Sequence, residues 1–462
     1  MPPQDEVLKR ERIVKGSCWA CKQRRVKCDL KKPKCRRCAS SGTTCNYEKL
    51  LIRWGTSAVK GVPTSNRFLI CSTLDTWEGT LATNERRALD YFNRRLWPLL
   101  SVDRQPCTPP RFLAMQSRTV LSTVCLLADA HLRLLDKRNS DKNLQQSRLH
   151  CLATIRRDLS ANALTESSLS SLSVAILLLY FLDGFVESGQ PSASTESHHA
   201  GVQAVIKSFG GFGSITNKGH EDLNMLLSEF ASTDLTSALL HERMPCLPVQ
   251  IWDSIENGTV WWDKKTFGAH SLASTFGIMA QMAEYRQALK NGNTPFSMEM
   301  VRELERNMQP SYDALKIDHF GEAQPENVDQ HSIKDRLQSH TLCRAFQHSS
   351  LIFLYRAICN LPSQHSLVQQ HVHGCKECIK GLSDRDNILK CAIFPLYIIG
   401  AHSFAEEEQK FILERLESVH RVLKFQAVLC VRFSLQKLWG SASQYGTWAD
   451  MFGALTPAAL VL

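Results

Sequence analysis

CWACKQRRVKCDLKKPKCRRCASSGTTC, residues Cys18 to Cys45, is the stretch on which the reading of the whole chain turns. Its six cysteines are spaced C-x2-C-x6-C, then six residues, then C-x2-C-x6-C again. Cys18, Cys21 and Cys28 are thus repeated, 17 residues on, by Cys35, Cys38 and Cys45. Two cysteines separated by two residues can hold one ion from a single turn, and the third returns to it after a short helix. Each half supplies three thiolates, whereas structural zinc takes four in a tetrahedron. Two ions need eight ligand places and six sulfurs are present, so two sulfurs must bridge; the first cysteine of each half, Cys18 and Cys35, is the symmetric choice. The segment has almost no apolar core, so metal binding must supply its folding free energy, on the order of 10 kcal/mol or more.

The inserts between the ligands separate the two halves. Lys22, Gln23, Arg24, Arg25, Val26 and Lys27 hold four cations in six positions; Ala39, Ser40, Ser41, Gly42, Thr43 and Thr44 hold no charge. Two similar short helices are expected, and only the first is built for a polyanion. A guanidinium can donate two hydrogen bonds to the O6 and N7 of guanine in the major groove, which Arg24 and Arg25 could supply. Lys22, Lys27, Lys31, Lys32 and Lys34 suit phosphates, which set register without carrying sequence information. Charge along the chain agrees. Residues 1–50 carry 14 Lys and Arg against 5 Asp and Glu, while the other 412 residues carry 41 against 40. A basic head on a neutral body confines the polyanionic partner to the head.

These residues closely resemble the fungal binuclear zinc cluster of the Zn2Cys6 transcription factors. All six cysteines match, as do the basic run before Cys28, Asp29 after it, Pro33 in the middle loop and Tyr47 past the last ligand. The resemblance implies two Zn2+ ions bridged by Cys18 and Cys35, with Cys21 and Cys28 completing one site and Cys38 and Cys45 the other. It implies a first helix lying in the major groove of double-stranded DNA at a CGG-type triplet, with Arg24 and Arg25 at the base-reading positions. Pro33 matches a loop proline that is cis in some relatives.

The remaining eleven of the 17 cysteines are scattered from Cys71 to Cys430. The opening MPPQDEVLKRERIVK has charges where the apolar core of a secretory signal would stand. The longest apolar run, Val174 to Leu182, is nine residues against the roughly 20 that span a bilayer. A soluble intracellular protein with reduced or metal-bound thiols, and no membrane partner, is expected. Residues 51–82 read as a linker, with Gly55, Gly61, Pro63 and Gly79 interrupting it. Many proteins with such a cluster dimerise here through a coiled coil, but the glycines and Pro63 end the apolar run begun by Leu50, Leu51 and Ile52. Either the protein binds DNA as a monomer, or the large body makes a homodimer.

From residue 83 to 462 the apolar positions recur at helical spacing, and a mostly α fold follows: a small zinc cluster of two short helices and loops ahead of a large all-α domain. Thr83 or Asn84 should cap a helix that buries Ala88, Leu89, Phe92, Leu96, Leu99 and Leu100, with Pro98 closing it. Val120–Leu135, Leu169–Phe185, Leu337–Leu361 and Phe411–Trp439 have the same pattern. ERRALDYFNRRLWPLLS, SVAILLLYFLDGF, HHAGVQAVIKSFGGFG, LIFLYRAICNLP and CAIFPLYIIGAHSFAEEEQKFILERL resemble, in order, segments of the second class of fungal-specific transcription factor domain. That resemblance implies a regulatory body that takes a small-molecule effector or contacts a transcriptional co-regulator, and it brings no catalytic residues.

Three groups compete for attention. His371, His373, Cys375 and Cys378 form H-x-H-x-C-x-x-C, but converging on one metal would require a helix broken at Gly374; a packed helix is the simpler reading. Gly210, Gly211 and Gly213 lack the GK[ST] ending and preceding strand of a phosphate loop, and read as a helix end. Glu406, Glu407 and Glu408 suit a helix start. No HExxH, GxSxG or DDxxD motif supports an enzyme, and the head has too few aromatics for single-strand stacking. The sequence therefore predicts a non-enzymatic, nuclear, sequence-specific regulator of RNA polymerase II transcription.

Overall fold

The computed structural model describes residues 17–18, 20–21, 24, 26–43, 45, 81–100, 108–135, 141–160, 165–190, 195–216, 221–254, 272–310, 330–383, 387–453, 455 and 459–461. The chain divides into two compact units, Met1–Leu81 and Ala82–Leu462. The linker expected over 51–82 lies almost wholly outside the described residues. Among the described residues no strand occurs.

The second unit is helix packed on helix. Its first helix, Thr83–Tyr91, buries Ala88 and Leu89 and turns Arg86, Arg87 and Asp90 outward. Ala82 holds the capping position, one residue before the expected Thr83, and its N–H donates to the Glu85 carboxylate at 3.0 Å. The chain then tightens through Phe92–Leu96 and Trp97–Leu99, where Pro98 sits in the closing turn. Arg118–Leu135 and Glu166–Phe181 follow the apolar pattern, the second running into a wider turn at Leu182–Val186. Glu166–Val186 is long and apolar enough to cross a bilayer by those measures alone. Within the fold, however, 89% of its apolar window is buried, the position of a core helix.

Two findings differ from the sequence reading. Phe411–Trp439 is two helices, Glu406–Leu423 and Gln426–Trp439, because Lys424 adopts a left-handed conformation at φ 57° and stops the first. Glu221–Leu240, whose pattern had not stood out, is a central helix buried from Leu223 through Leu240. It hides Ser228, Ser232 and Thr233 by returning each hydroxyl to a carbonyl one turn back, Ser228 to Met225 at 2.7 Å and Thr233 to Glu229 at 2.8 Å being examples, while Thr236 donates to the Val461 carbonyl. Beside it an aromatic row of Trp252, Phe276, Phe346 and Phe394 runs through the core with successive centroids 5.6, 5.3 and 5.8 Å apart.

Candidate metal centre and nucleic-acid interface

The duplication in the sequence reappears as a duplication in hydrogen bonding. Val26 donates to the carbonyl of Cys21 at 3.0 Å, and 17 residues later Thr43 donates to that of Cys38 at 3.1 Å. The second short helix spans Arg36–Ser40, beginning right after Cys35 and ending within the uncharged insert. Asp29, immediately after Cys28, accepts the Arg36 N–H at 3.0 and 3.2 Å from its two oxygens, placing a carboxylate at the start of this helix. The Lys32–Pro33 peptide between the halves is cis.

The helices meet along equivalent positions. Cys18 and Cys35 sulfurs are 3.7 Å apart and those of Cys21 and Cys38 are 3.9 Å apart, while Cys18–Cys38 and Cys21–Cys35 are 3.5 and 3.6 Å. Cys18, Cys21, Cys28 and Cys35 form one set of sulfurs within 4.8 Å of one another, and Cys18, Cys35, Cys38 and Cys45 form another. Cys18 and Cys35 belong to both. Tetrahedral zinc with bonds of about 2.3 Å separates its sulfurs by about 3.8 Å, which the 3.5–3.7 Å spacings inside each set fit. Cys21 and Cys38 belong to different sets, and their 3.9 Å approach would have to widen to about 6 Å around two ions sharing the Cys18–Cys35 edge. Five of the six sulfurs belong to buried residues, Cys45 being half-buried. Backbone N–H groups of Cys35 and Cys38 donate to the sulfurs of Cys45 and Cys35, both at 3.3 Å. Burial pushes the Cys18 thiol far up and that of Cys21 up to about 12, so these two bind as thiolates only against a cation.

Of the residues expected on the nucleic acid, Arg24, Lys27, Lys31, Lys32 and Lys34 are exposed; Lys22 and Arg25 lie outside the described residues. Arg24 is not simply directed outward. Its Nε donates to the Ala20 carbonyl at 3.3 Å, its Nη1 to Ser41 Oγ at 2.8 Å, and its Nη2 approaches the Cys38 sulfur at 3.6 Å.

The competing groups in the body resolve into packing. Ser366–Gly381 is one unbroken helix with His371, Cys375 and Cys378 buried and His373 exposed, so the four do not converge. Gly374 serves close approach: a Cβ there would lie 2.4 Å from the His348 ring. Gly210 and Gly211, at φ 84° and 113°, end the helix Thr195–Ser208, and Glu406 to Glu408 open the helix Glu406–Leu423. A further group, His199, Asp234 and Cys246, went unnoticed in the sequence because its members come from three segments. Asp234 already accepts from His199 at 2.7 Å, Arg243 at 2.8 Å and the Cys246 N–H at 2.5 Å. Burial raises that carboxyl, but the His199 hydrogen bond and the Arg243 charge outweigh it and hold it below the usual range. It is a satisfied buried anion.

Comparison with known proteins follows the same division. Residues 16–53 match the fungal Zn(2)-Cys(6) binuclear cluster domain, and residues 87–456 match the fungal specific transcription factor domain. Among curated proteins, the Arginine metabolism regulation protein II of Saccharomyces cerevisiae is 46% identical over 37 residues, 8% of this chain and 4% of that protein. The Maltose fermentation regulatory protein MAL33 of the same yeast is 32% identical over 103 residues, 20% of this chain and 22% of that one. The Geodin cluster transcription factor of Aspergillus terreus is 50% identical over 34 residues, 7% and 15% of the two chains. The chain thus spans less than a quarter of the length of each of these relatives. No solved structure matches the chain.

Proposed function

This chain belongs to the fungal specific transcription factor family, with a Zn(2)-Cys(6) cluster at its head, and we propose that it reads a CGG-type triplet in duplex DNA to regulate RNA polymerase II genes. The observation that carries the reading is the pair of sulfur tetrads sharing Cys18 and Cys35 beside an insert with four cations in six positions. Two zinc ions supply the fixed scaffold; the chain's own residues supply the recognition. The run Lys22–Lys27 enters the major groove, at least one arginine of the Arg24–Arg25 pair discriminates guanine, and Lys22, Lys27, Lys31, Lys32 and Lys34 neutralise phosphates. The excess charge of the head steers it to the duplex. Such a function places the protein in the nucleus.

The helical body takes an effector or a co-regulator. An open cleft of about 660 Å³ between the helices Leu272–Lys290 and Met298–Met308 offers an entry, lined by Met244, Glu284, Tyr285, Gln287, Met300 and Glu303 among others. Selection from random duplex DNA by the zinc-loaded chain at about 150 mM salt tests the head. One enriched triplet supports monomeric reading, and two at fixed spacing support a dimer made by the body. Arg25→Ala should lose about 1–3 kcal/mol of guanine discrimination. Lys31→Ala should weaken all sequences alike and lower the salt slope by about one. Binding that tracks salt alone, with no enriched sequence, would overturn the proposal.

A further inference from the structure

The seam between the two zinc-binding halves is made by residues 17 positions apart. Cys18 faces Cys35 at 3.7 Å, Cys21 faces Cys38 at 3.9 Å, and one turn further Arg24 meets Ser41 at 2.8 Å. Positions 18, 21 and 24 fall on one side of the first helical turn, and 35, 38 and 41 on the matching side of the second, so Arg24 and Ser41 extend the line of the sulfurs. Ser41 is prepared to accept. Its hydroxyl lies 2.7 Å from the Arg37 carbonyl, to which it donates, and 2.7 Å from Thr43 Oγ1, which leaves its lone pairs toward the guanidinium. The charge-free second insert thereby acquires a use, since a cation at 41 would repel Arg24.

We infer that Arg24 is a clamp across the zinc cluster and not a reader of bases, so that the guanine discrimination of the Arg24–Arg25 pair falls to Arg25. This deepens the DNA-reading proposal and rests on it for the role of Arg25. Nε, Nη1 and Nη2 of Arg24 each engage the head itself, the first on Ala20 and the other two on Ser41 and Cys38 in the second half. Swinging the side chain to a base edge would break all three contacts. The chemistry of the cluster adds a reason to stay: six thiolates carry two more negative charges than two divalent zinc ions neutralise, and a guanidinium against the Cys38 sulfur offsets part of that excess. Arg24 is accordingly a positioning residue, joining the halves so that the neighbouring insert holds its shape.

The test uses the full zinc-loaded chain with two readouts, the rate of zinc transfer to a colorimetric chelator and the triplet selected from random duplex DNA. Arg24→Ala and Ser41→Ala should each release zinc roughly tenfold faster, the order expected for one charge-assisted hydrogen bond, while selecting the same triplet as the parent. The double variant should release zinc no faster than Arg24→Ala alone, because Arg24→Ala has already removed the bond that Ser41→Ala breaks. Arg25→Ala should do the reverse, keeping the parent's zinc-release rate and losing the guanine preference. Ser41→Ala also guards the test against an Arg24 variant that does not fold, since serine carries no charge for DNA to use. Parental zinc release from Ser41→Ala overturns the clamp, as does an Arg24→Ala chain that keeps its zinc and loses its triplet. If no sequence is enriched even by the parent, the DNA reading fails while the zinc-release comparison still decides the clamp.

Discussion

Gly184 shows how much a single side chain, or its absence, decides in this protein. It lies in the wide turn Leu182–Val186, and its carbonyl accepts the N–H of Leu460 at 3.0 Å. A Cβ at Gly184 would stand 2.2 Å from Leu460 Cγ and 2.3 Å from Cδ1, too near the branch point for a simple rotamer change to relieve. Gly184→Ala should therefore destabilise the body by about 1–3 kcal/mol through overpacking. In denaturant unfolding, Leu460→Ala added to it should cost less than the two changes summed, because the clash has gone; strict additivity would contradict the contact. At this scale the sequence was legible where chemistry restricts the options. Six cysteines at duplicated spacing led directly to two tetrads sharing Cys18 and Cys35. Arg24 was not legible in the same way, since nothing in KQRRVK says that one of its two arginines turns back onto Ser41. Gly184 and Gly374 were equally silent, because the partner each must admit lies far away in sequence.

Among the elements, the boundary at Lys424 is the most informative departure from pattern. Apolar spacing continues from Phe411 to Trp439, and a reading by periodicity joins them into one helix. Lys424 instead closes Glu406–Leu423 with its N–H on the His420 carbonyl at 2.8 Å and turns at φ 57°, where glycine is the usual occupant. Periodicity reports which face is buried, not whether the axis continues, and two helices packed on one core share a pattern. Lys424→Gly should stabilise the protein by about 0.5–1 kcal/mol, the strain relieved exceeding the entropy lost by a more flexible unfolded chain. A lowered unfolding midpoint would show that the lysine side chain holds something glycine cannot. Glu221–Leu240 was missed for the opposite reason. Its Asn, Ser, Thr, Glu and Asp residues blur the apolar stripe, although hydroxyls that bond back to the preceding turn can be buried at little cost. The helices that did declare themselves, such as Arg118–Leu135, keep their charged residues, here Arg118, Asp129 and Arg133, out of the buried side and so leave the apolar stripe readable.

Over the whole molecule, several buried imidazoles make the stability of the helical body depend on acid. His402 donates from Nδ1 to the Ile398 carbonyl at 2.8 Å and presents Nε2 to the Arg356 guanidinium at 3.3 Å, so a second proton would face a cation. Burial, with Arg356 adding to it, lowers its pKa to about 3. His348 and His371 share one hydrogen bond, Nδ1 to Nδ1 at 2.9 Å, which at least one neutral ring must accept; burial takes them down to about 3 and about 4. His131 is held neutral between Tyr91 at 2.7 Å and the Leu423 carbonyl at 2.8 Å, and burial lowers it too. These groups have folded pKa values below the unfolded value of about 6.5, so the unfolded chain binds more protons as pH falls and stability is lost from about pH 6.5 downward. Each of His348, His371 and His402 costs about 2 kcal/mol by about pH 5. Glu229 acts in the other direction: burial pushes it up to about 8, its folded carboxyl holds a proton that unfolding releases, and acidification recovers about as much as one imidazole loses. The net expectation is a loss of about 3 kcal/mol between about pH 6.5 and pH 5. Denaturant unfolding followed by the far-ultraviolet helix signal, which the body dominates, should show the midpoint falling steeply over that interval. A flat or rising midpoint would mean that the core opens enough to charge these rings while folded, and the tautomers assigned to His131 and His402 would have to be abandoned.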